Sequence, residues 1–289
     1  MIARLRAACQ HFQPTPVGIS SAANPRLRQL RGLLESARER RRQGQTVLDG
    51  WHLLEAWLHQ GGAVQQLVLP RRTWLRLDTP PLMADRSEAS SRAALDGLAT
   101  SRWLVLDDAL FDALDILPSP VPVLALVDAP APALPAQLDA HRDVVILDRV
   151  QDPGNVGAII RTAAAAGIRT LLTTPGTAAC WSPKVLRAGM GGHFVLAIHE
   201  GIVPADLPAL LRQPLAGTVL DGGQSLHAQD LRVPLAWVFG NEGEGIDPAL
   251  QARLGLRLTI PQAAGVESLN VAAAAAVCLF EQRRQRLAA

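Results

Sequence analysis

The chain has no tyrosine and a single lysine, Lys184, among its 28 lysines and arginines. Positive charge therefore sits on arginine, whose planar fork binds phosphate bidentately and stacks on bases. A GC-rich genome raises arginine and alanine together, so this bias alone names no partner. Cysteine is also scarce. Cys9, Cys180 and Cys278 lie far apart, in no CxxC or Cys/His cluster. That spacing argues against structural zinc and fits a reducing compartment. No metal site is expected. Arg4 and Arg6 precede Pro14 without an apolar core between them, so no secretory signal is read. Long hydrophobic runs are missing too. The longest, Val271–Phe280, is mostly alanine and too short to span a bilayer. The expectation is a soluble, cytoplasmic protein with no membrane partner.

What is present divides in two. With 289 residues, 48% of them hydrophobic and 19% charged, the chain suits two domains of ordinary size, each with its own core. The formal charge is only +2. Residues 1–14 read as a tail, 15–127 as a small α/β domain, 128–141 as a linker and 142–289 as a second α/β domain. Pro130, Pro132 and Pro135 among alanines mark the linker. In the first domain, Asn24–Gln43 reads as one basic helix. Leu27, Leu30, Leu34 and Ala37 give it an apolar face. Arg28, Arg31, Arg38 and Arg42 form an adjacent stripe, and Arg40 and Arg41 extend the charge around the helix end. Arginines outnumber the nearby carboxylates, which favours a nucleic-acid surface. The competing reading is a solvated face with ion pairs such as Glu39–Arg42. Strands are expected at Thr46–Leu48, Gln66–Leu69, Trp103–Leu106 and Val121–Val127, and helices at His52–His59 and Asp107–Ile116.

The second half alternates strands and helices, which predicts a mainly parallel sheet. Strands are expected at Val144–Leu147, Thr170–Thr173, Phe194–Ile198, Ala216–Leu220, Leu235–Phe239 and Leu256–Ile260. Helices are expected at Asn155–Ala166, Pro183–Ala188, Asp206–Leu211, Pro248–Leu254 and Ser268–Arg286. Three glycine-bearing loops follow strands: Asp152–Asn155, Gly240–Gly245 and Ile260–Asn270. Loops at the carboxyl ends of parallel strands can converge on one crevice. Plain turn chemistry explains each loop singly. Asn155 stands where an N-cap is wanted, and Ser268 and Asn270 are good caps for the last helix. Arg161 is a cation in an otherwise apolar helix, which points to an anionic or polar ligand; the competing reading is an ordinary strand–turn–helix with a surface arginine. Gly240, Gly243 and Gly245 lack dinucleotide spacing, and no P-loop run exists, so NAD and ATP are disfavoured. Val271–Ala276 offers a face of small side chains, suited to a tight core or a subunit contact.

Asp152-Pro153-x-Asn155-x-Gly157-x3-Arg161-Thr162-Ala163, then Gly240-Asn241-Glu242-Gly243-x-Gly245, then Ile260-Pro261…Ser268-Leu269-Asn270-Val271 resemble three ordered motifs. They are those of the SpoU (TrmH-type) RNA ribose 2′-O-methyltransferases of the SPOUT superfamily. Ser182-Pro183-Lys184-Val185-x-Arg187-Ala188-x-Met190-Gly191 is similar to an intermediate family segment. The match covers about residues 143–286. The first half, clearest from Asn24-Pro25 to Asp49-Gly50-x-His52-Leu53, resembles a small ribosomal-protein-like substrate-binding domain found in many members.

The resemblance implies a parallel sheet closed by a deep trefoil knot, a rare exception to chain-topology rules. It implies S-adenosylmethionine held chiefly by backbone groups, with Gly240, Ile260 and Leu269 at the contact positions. It implies a homodimer through the knot and C-terminal helix, acting on RNA, ribosomal RNA of the 23S class ahead of tRNA. Arg161 would serve as base or as hydroxyl activator, with Asn155 and Glu242 orienting it or the ribose. Ser268 and Asn270 would complete the hydrogen-bond shell. A rival of another class is an RNA-binding or assembly factor that has kept the fold but lost catalysis. The presence of all five polar residues speaks against it. One departure stands out. The family usually has Pro-Met-x-Gly where this chain has Pro261-Gln262-Ala263-Ala264, with glycine displaced to Gly265. A backbone turn near the cofactor is therefore expected to differ locally.

Overall fold

The structure, a computed structural model, describes residues 17–75, 102–114, 122–263, 265 and 268–288. They fall into two compact units. One runs to Pro130 and includes Trp181–Pro183; the other comprises Ala131–Cys180 and the chain from Lys184 onward.

The first unit holds β1 (Val17–Ile19), α1 (Pro25–Glu35), α2 (Ala37–Gln43), β2 (Gln45–Asp49), α3 (Trp51–His59), β3 (Gln66–Pro70), α4 (Arg71–Leu75), β4 (Trp103–Leu106), α5 (Asp108–Asp112) and β5 (Leu124–Asp128). The sheet order is β1-β4-β3-β5-β2. β1, β4 and β3 run parallel, while β5 is antiparallel to both β3 and β2. Leu27, Leu30 and Leu33 of α1 pack on Val47, Val68, Leu104 and Leu124 from the strands.

The expected single helix over Asn24–Gln43 is two helices. Ser36 leaves helical geometry at φ −114°, ψ 115°. Its amide donates to Gly32 O at 2.9 Å, and its hydroxyl accepts from Glu39 N at 3.2 Å. Serine suits this role because its side chain replaces a missing backbone partner at a helix start. Arg40 does not extend the exposed charge. It is buried, and its guanidinium donates to Leu33 O at 2.7 Å and Leu34 O at 3.2 Å, closing the end of α1. Leu33 is fully in the core, and Leu34 is partly buried and packs against it. The 1–14 tail, Ile116, Val121 and most of the stretch between β3 and β4 lie outside the described residues.

The second unit holds β6 (Val144–Leu147), α6 (Pro153–Ala166), β7 (Thr170–Thr173), α7 (Pro183–Gly189), β8 (Ala197–His199), α8 (Leu207–Leu210), β9 (Leu215–Thr218), β10 (Gln224–Ser225), β11 (Ala236–Phe239), α9 (Pro248–Gln251), β12 (Leu256–Thr259) and α10 (Val271–Leu287). Its sheet order is β10-β12-β9-β11-β6-β7-β8, with every pairing parallel. The chain is thus α/β, as expected. β6 and β11 sit centrally and are buried along their whole length. α6 packs on α10, where Ala274, Ala275 and Cys278 are buried. The small-residue face therefore serves packing within this unit. α6 also approaches α7 closely: a Cβ on Gly157 would lie 2.4 Å from Ala188 Cβ and 2.6 Å from Val185 O.

Several boundaries move. The strand expected at Phe194–Ile198 becomes a 3₁₀ turn, Gly192–Val195, followed by the short β8. The helix expected at Asp206–Leu211 becomes a 3₁₀ turn at Pro204–Asp206 and the one-turn α8, with Pro208 at its start. The helix expected at Pro248–Leu254 ends at Gln251. The last helix starts at Val271, capped by Asn270, so Ser268 is outside it. Parallel pairing aims the carboxyl ends of β6, β7, β9, β11 and β12 at one edge of the sheet, and the three loops leave from there.

Candidate active site

Asp152, not Asn155, caps α6. Its Oδ1 accepts from Asn155 N at 2.8 Å, and Pro153 fills the first helical position, where no N–H is needed. Asn155 is thus the third residue of the helix, and its side-chain amide reaches across the strand ends. Its Nδ2 donates to Glu242 Oε1 at 3.0 Å. Its Oδ1 accepts from Asn270 Nδ2 at 2.9 Å. Asn270 Oδ1 in turn caps α10, accepting from Ala272 N at 2.9 Å and Ala273 N at 3.2 Å. Three loops separated widely in sequence are joined by one hydrogen-bonded chain, Asn270–Asn155–Glu242.

Glu242 is held twice more, by Gln151 N at 3.2 Å and Asp152 N at 3.1 Å. Partial burial pushes its pKa up, but the bonds from Asn155 and from these backbone amides outweigh that and leave it below the ordinary carboxylate value. The carboxylate is charged at neutral pH and serves as a fixed acceptor. Its own loop is rigid. Asn241 Oδ1 accepts from Gly243 N at 2.9 Å and Glu244 N at 3.0 Å, and Asn241 Nδ2 donates to Arg149 O at 2.9 Å. Gly240 is obligatory here, since a Cβ would meet Gly245 C and Ile246 N, each at 2.3 Å.

Arg161 is exposed, two turns further along α6, and the described residues give it no hydrogen bond or ion pair. It is not part of the Asn270–Asn155–Glu242 chain. Its backbone is tightly placed: a Cβ on Gly192 would sit 2.9 Å from Arg161 Cα. Ser268 is exposed and also outside that chain. Ile260 is half-buried, and Leu269 is 39% exposed. Gly265 adopts φ 87°, so the displaced glycine occupies a left-handed turn that other residues resist; Ala264 lies outside the described residues.

The loops that follow β11 and β12 offer the peptide groups of Gly240 and Ile260 and the exposed apolar side chain of Leu269. Apolar contact plus backbone hydrogen bonding suits an adenosyl group, so the donor set fits S-adenosylmethionine. Among the described residues, no group of three or more His, Cys, Asp or Glu side chains could hold a metal ion, and no helix is long and apolar enough to cross a membrane.

In the first unit, Arg28 and Arg31 lie on α1, and Arg38 and Arg42 on α2. Arg28, Arg38 and Arg42 are exposed and Arg31 is half-buried. Arg42 is paired with Glu39, at 2.6 Å from its Nη2 and 3.1 Å from its Nε. Sequence reading missed Asp152 as the cap and the part played by Asn241, Asp148 and Arg149. The signal available was position: a carboxylate, Asp148, directly after an apolar run.

A model of the SpoU rRNA methylase family matches residues 143–280. The chain is 35% identical over 280 residues to an uncharacterized tRNA/rRNA methyltransferase of Synechocystis sp., covering 94% of this chain and 95% of that protein. It is 30% identical over 271 residues to the 23S rRNA (guanosine(2553)-2′-O)-methyltransferase RlmP of Bacillus subtilis, covering 92% and 98%. Among solved structures, the SpoU methyltransferase AviRb from Streptomyces viridochromogenes in complex with AdoMet superposes with a TM-score of 0.75 at 26% identity, covering 92% of this chain and all of that one.

Proposed function

The chain belongs to the SpoU rRNA methylase family, and on that footing we propose that it transfers a methyl group from S-adenosylmethionine to a ribose 2′-hydroxyl of RNA. The single observation that carries this reading is the Asn270–Asn155–Glu242 chain, which draws the three motif loops together at the strand ends. The 23S rRNA enzyme of Bacillus subtilis, matched along almost its whole length, supports ribosomal RNA over tRNA.

S-adenosylmethionine, when bound, supplies a methyl group already activated on a positively charged sulfur. The chain's task is to orient the ribose and to ease loss of the hydroxyl proton. Gly240, Ile260 and Leu269 are assigned to hold the cofactor. Asn155, fixed on both sides, presents an amide of set orientation to the ribose. Glu242 and Asn270 keep that amide in place, and Ser268 adds a hydroxyl at the same loop. Arg161 is a motif cation that makes no ion pair among the described residues. Its planar fork suits binding the phosphate and lowering the pKa of the neighbouring hydroxyl.

The finer architecture is part of the same proposal. The segment after β12 returns to Asn155 on α6, which follows β6, three places away in the sheet order. That excursion supports a C-terminal trefoil knot within residues 142–289. The exposed Phe280 (46%) and Leu287 (75%) on α10 support a homodimer through the C-terminal helix. Residues 15–127 are assigned to RNA binding through Arg28, Arg31, Arg38 and Arg42, with 128–141 as linker, in a cytoplasmic protein.

Arg161→Ala should abolish methyl transfer to ribosomal RNA, read by radiolabel incorporation, while calorimetry still shows S-adenosylmethionine binding. Normal turnover in that variant would remove Arg161 from the mechanism. Mapping ribose methylation across all RNAs of a strain lacking the protein identifies the nucleotide.

A further inference from the structure

We propose that Asp148 is a positioning residue that sets the Glu242 carboxylate, acting with Thr174 and Arg149 as a hydrogen-bonded latch between the motif loops. The inference rests on the methyl-transfer reading above. Asp148 follows β6 directly and is 1% exposed. Its Oδ1 accepts from the Thr174 hydroxyl at 2.9 Å, at the end of β7. Its Oδ2 accepts from Asp247 N at 2.7 Å, at the exit of the loop that carries Glu242. Its own amide donates to Phe239 O at 2.8 Å, where that loop begins. One residue thus ties both ends of the 240–247 loop to the start of the 148–152 loop.

Arg149 extends the latch. The Thr174 hydroxyl oxygen accepts from Arg149 N at 3.1 Å while donating to Asp148. Arg149 is held at φ 55°, one of two non-glycine residues with positive φ among the described residues. That conformation costs energy for an L side chain and persists where the surroundings over-determine it. Here it turns the Arg149 carbonyl to Asn241 Nδ2 and the guanidinium to Glu244, both on the facing loop. The next two amides of that chain, apart from Val150, are Gln151 and Asp152, which hold Glu242. A shift of the latch is therefore carried to Glu242 and from it to Asn155.

The test uses the full chain with S-adenosylmethionine and ribosomal RNA transcripts. Asp148→Asn should lower kcat at least tenfold, with KM for RNA and the affinity for S-adenosylmethionine within twofold of wild type. Thr174→Val should behave alike, and Thr174→Ser, which keeps the hydroxyl, should stay within twofold of wild type. In a Glu242→Gln background, Asp148→Asn should cost less than a further twofold, because the latch acts through Glu242. Full multiplication of the two losses, or a kcat within twofold of wild type in Thr174→Val, overturns the proposal. Amide hydrogen exchange gives an arm independent of turnover. In Thr174→Val the amides of Gln151, Asp152 and Asp247 should exchange faster, with β6 and β11 unchanged. Unaltered exchange at those three amides also overturns it. If Asp148→Asn does not fold, the Thr174 pair decides. If the wild type methylates no RNA, the functional reading fails, and the exchange arm still decides the latch.

Discussion

Asn155 is where the three loops meet, and it does so because another residue relieves it of capping duty. Asp152 Oδ1 accepts from the amide of Asn155 itself, which places Asn155 inside α6 instead of at its cap. Both residue types are good caps, and only the placement of Pro153 at the first helical position separates them. A hydrogen bond to a charged group contributes about 1.5–3 kcal/mol. Asn155→Ala removes such a bond to Glu242 and leaves Asn270 without its partner across the loops. If that energy is used to orient the ribose, the variant should lose about one to two orders of magnitude in kcat. The check is single-turnover methylation with enzyme in excess over RNA. Asn155, Glu242 and Asn270, which the structure joins, were legible because each is polar and stands in or just after a loop that follows a strand. Asp148 and Thr174 were not, since nothing in the sequence says that they face each other across two strands.

Among the elements, the least legible was the turn at Gly192–Val195. Phe194–Ile198 is apolar enough to read as a strand, and pattern alone cannot show that Gly192 must lie against the backbone of Arg161. The 3₁₀ turn meets that demand and buries His193 in the process. The strands β6, β7, β11 and β12 were legible because short apolar runs between turn residues have few other fates. The break of the first basic helix at Ser36 was not, because the apolar spacing of Leu27, Leu30 and Leu34 carries on to Ala37 beyond it. His193 makes a prediction that belongs to this scale. Burial lowers its pKa from 6.5 to about 4, against a raising contribution from its bond to Cys180 O at 3.0 Å. The unfolded chain therefore binds a proton that the folded chain refuses between these values. Stability is fully retained above pH 6.5 and falls as pH drops toward 4. From about pH 7 to pH 5 the loss is about 2 kcal/mol. His193→Gln should flatten the stability profile by that amount in urea unfolding at the two pH values. Parallel profiles for the variant and the wild type would show that the imidazole takes its proton within the fold.

At the scale of the molecule, the bulk charge says little and its distribution says more. A formal charge of +2 on 289 residues gives no strong field. The arginines of α1 and α2 gather positive charge locally, yet the structure sorts them unequally. Arg40 is spent inside the first unit on the carbonyls of Leu33 and Leu34, and Arg42 is neutralised by Glu39. Of the four arginines assigned to RNA binding, Arg28, Arg31 and Arg38 remain. Each phosphate contact to single-stranded or duplex nucleic acid releases counterions and adds about 0.7–0.9 to the slope of log affinity against log salt. Replacing Arg28, Arg31 and Arg38 together by glutamine should therefore weaken RNA binding and reduce that slope by about 2–3, if all three touch phosphate. Arg42→Gln alone should change the slope little, because its fork is already committed to a carboxylate. Filter binding of ribosomal RNA fragments across a salt series separates the outcomes. A slope that does not move in the triple variant would make α1 and α2 an ordinary solvated surface and shift RNA recognition to the strand-end loops around Arg161.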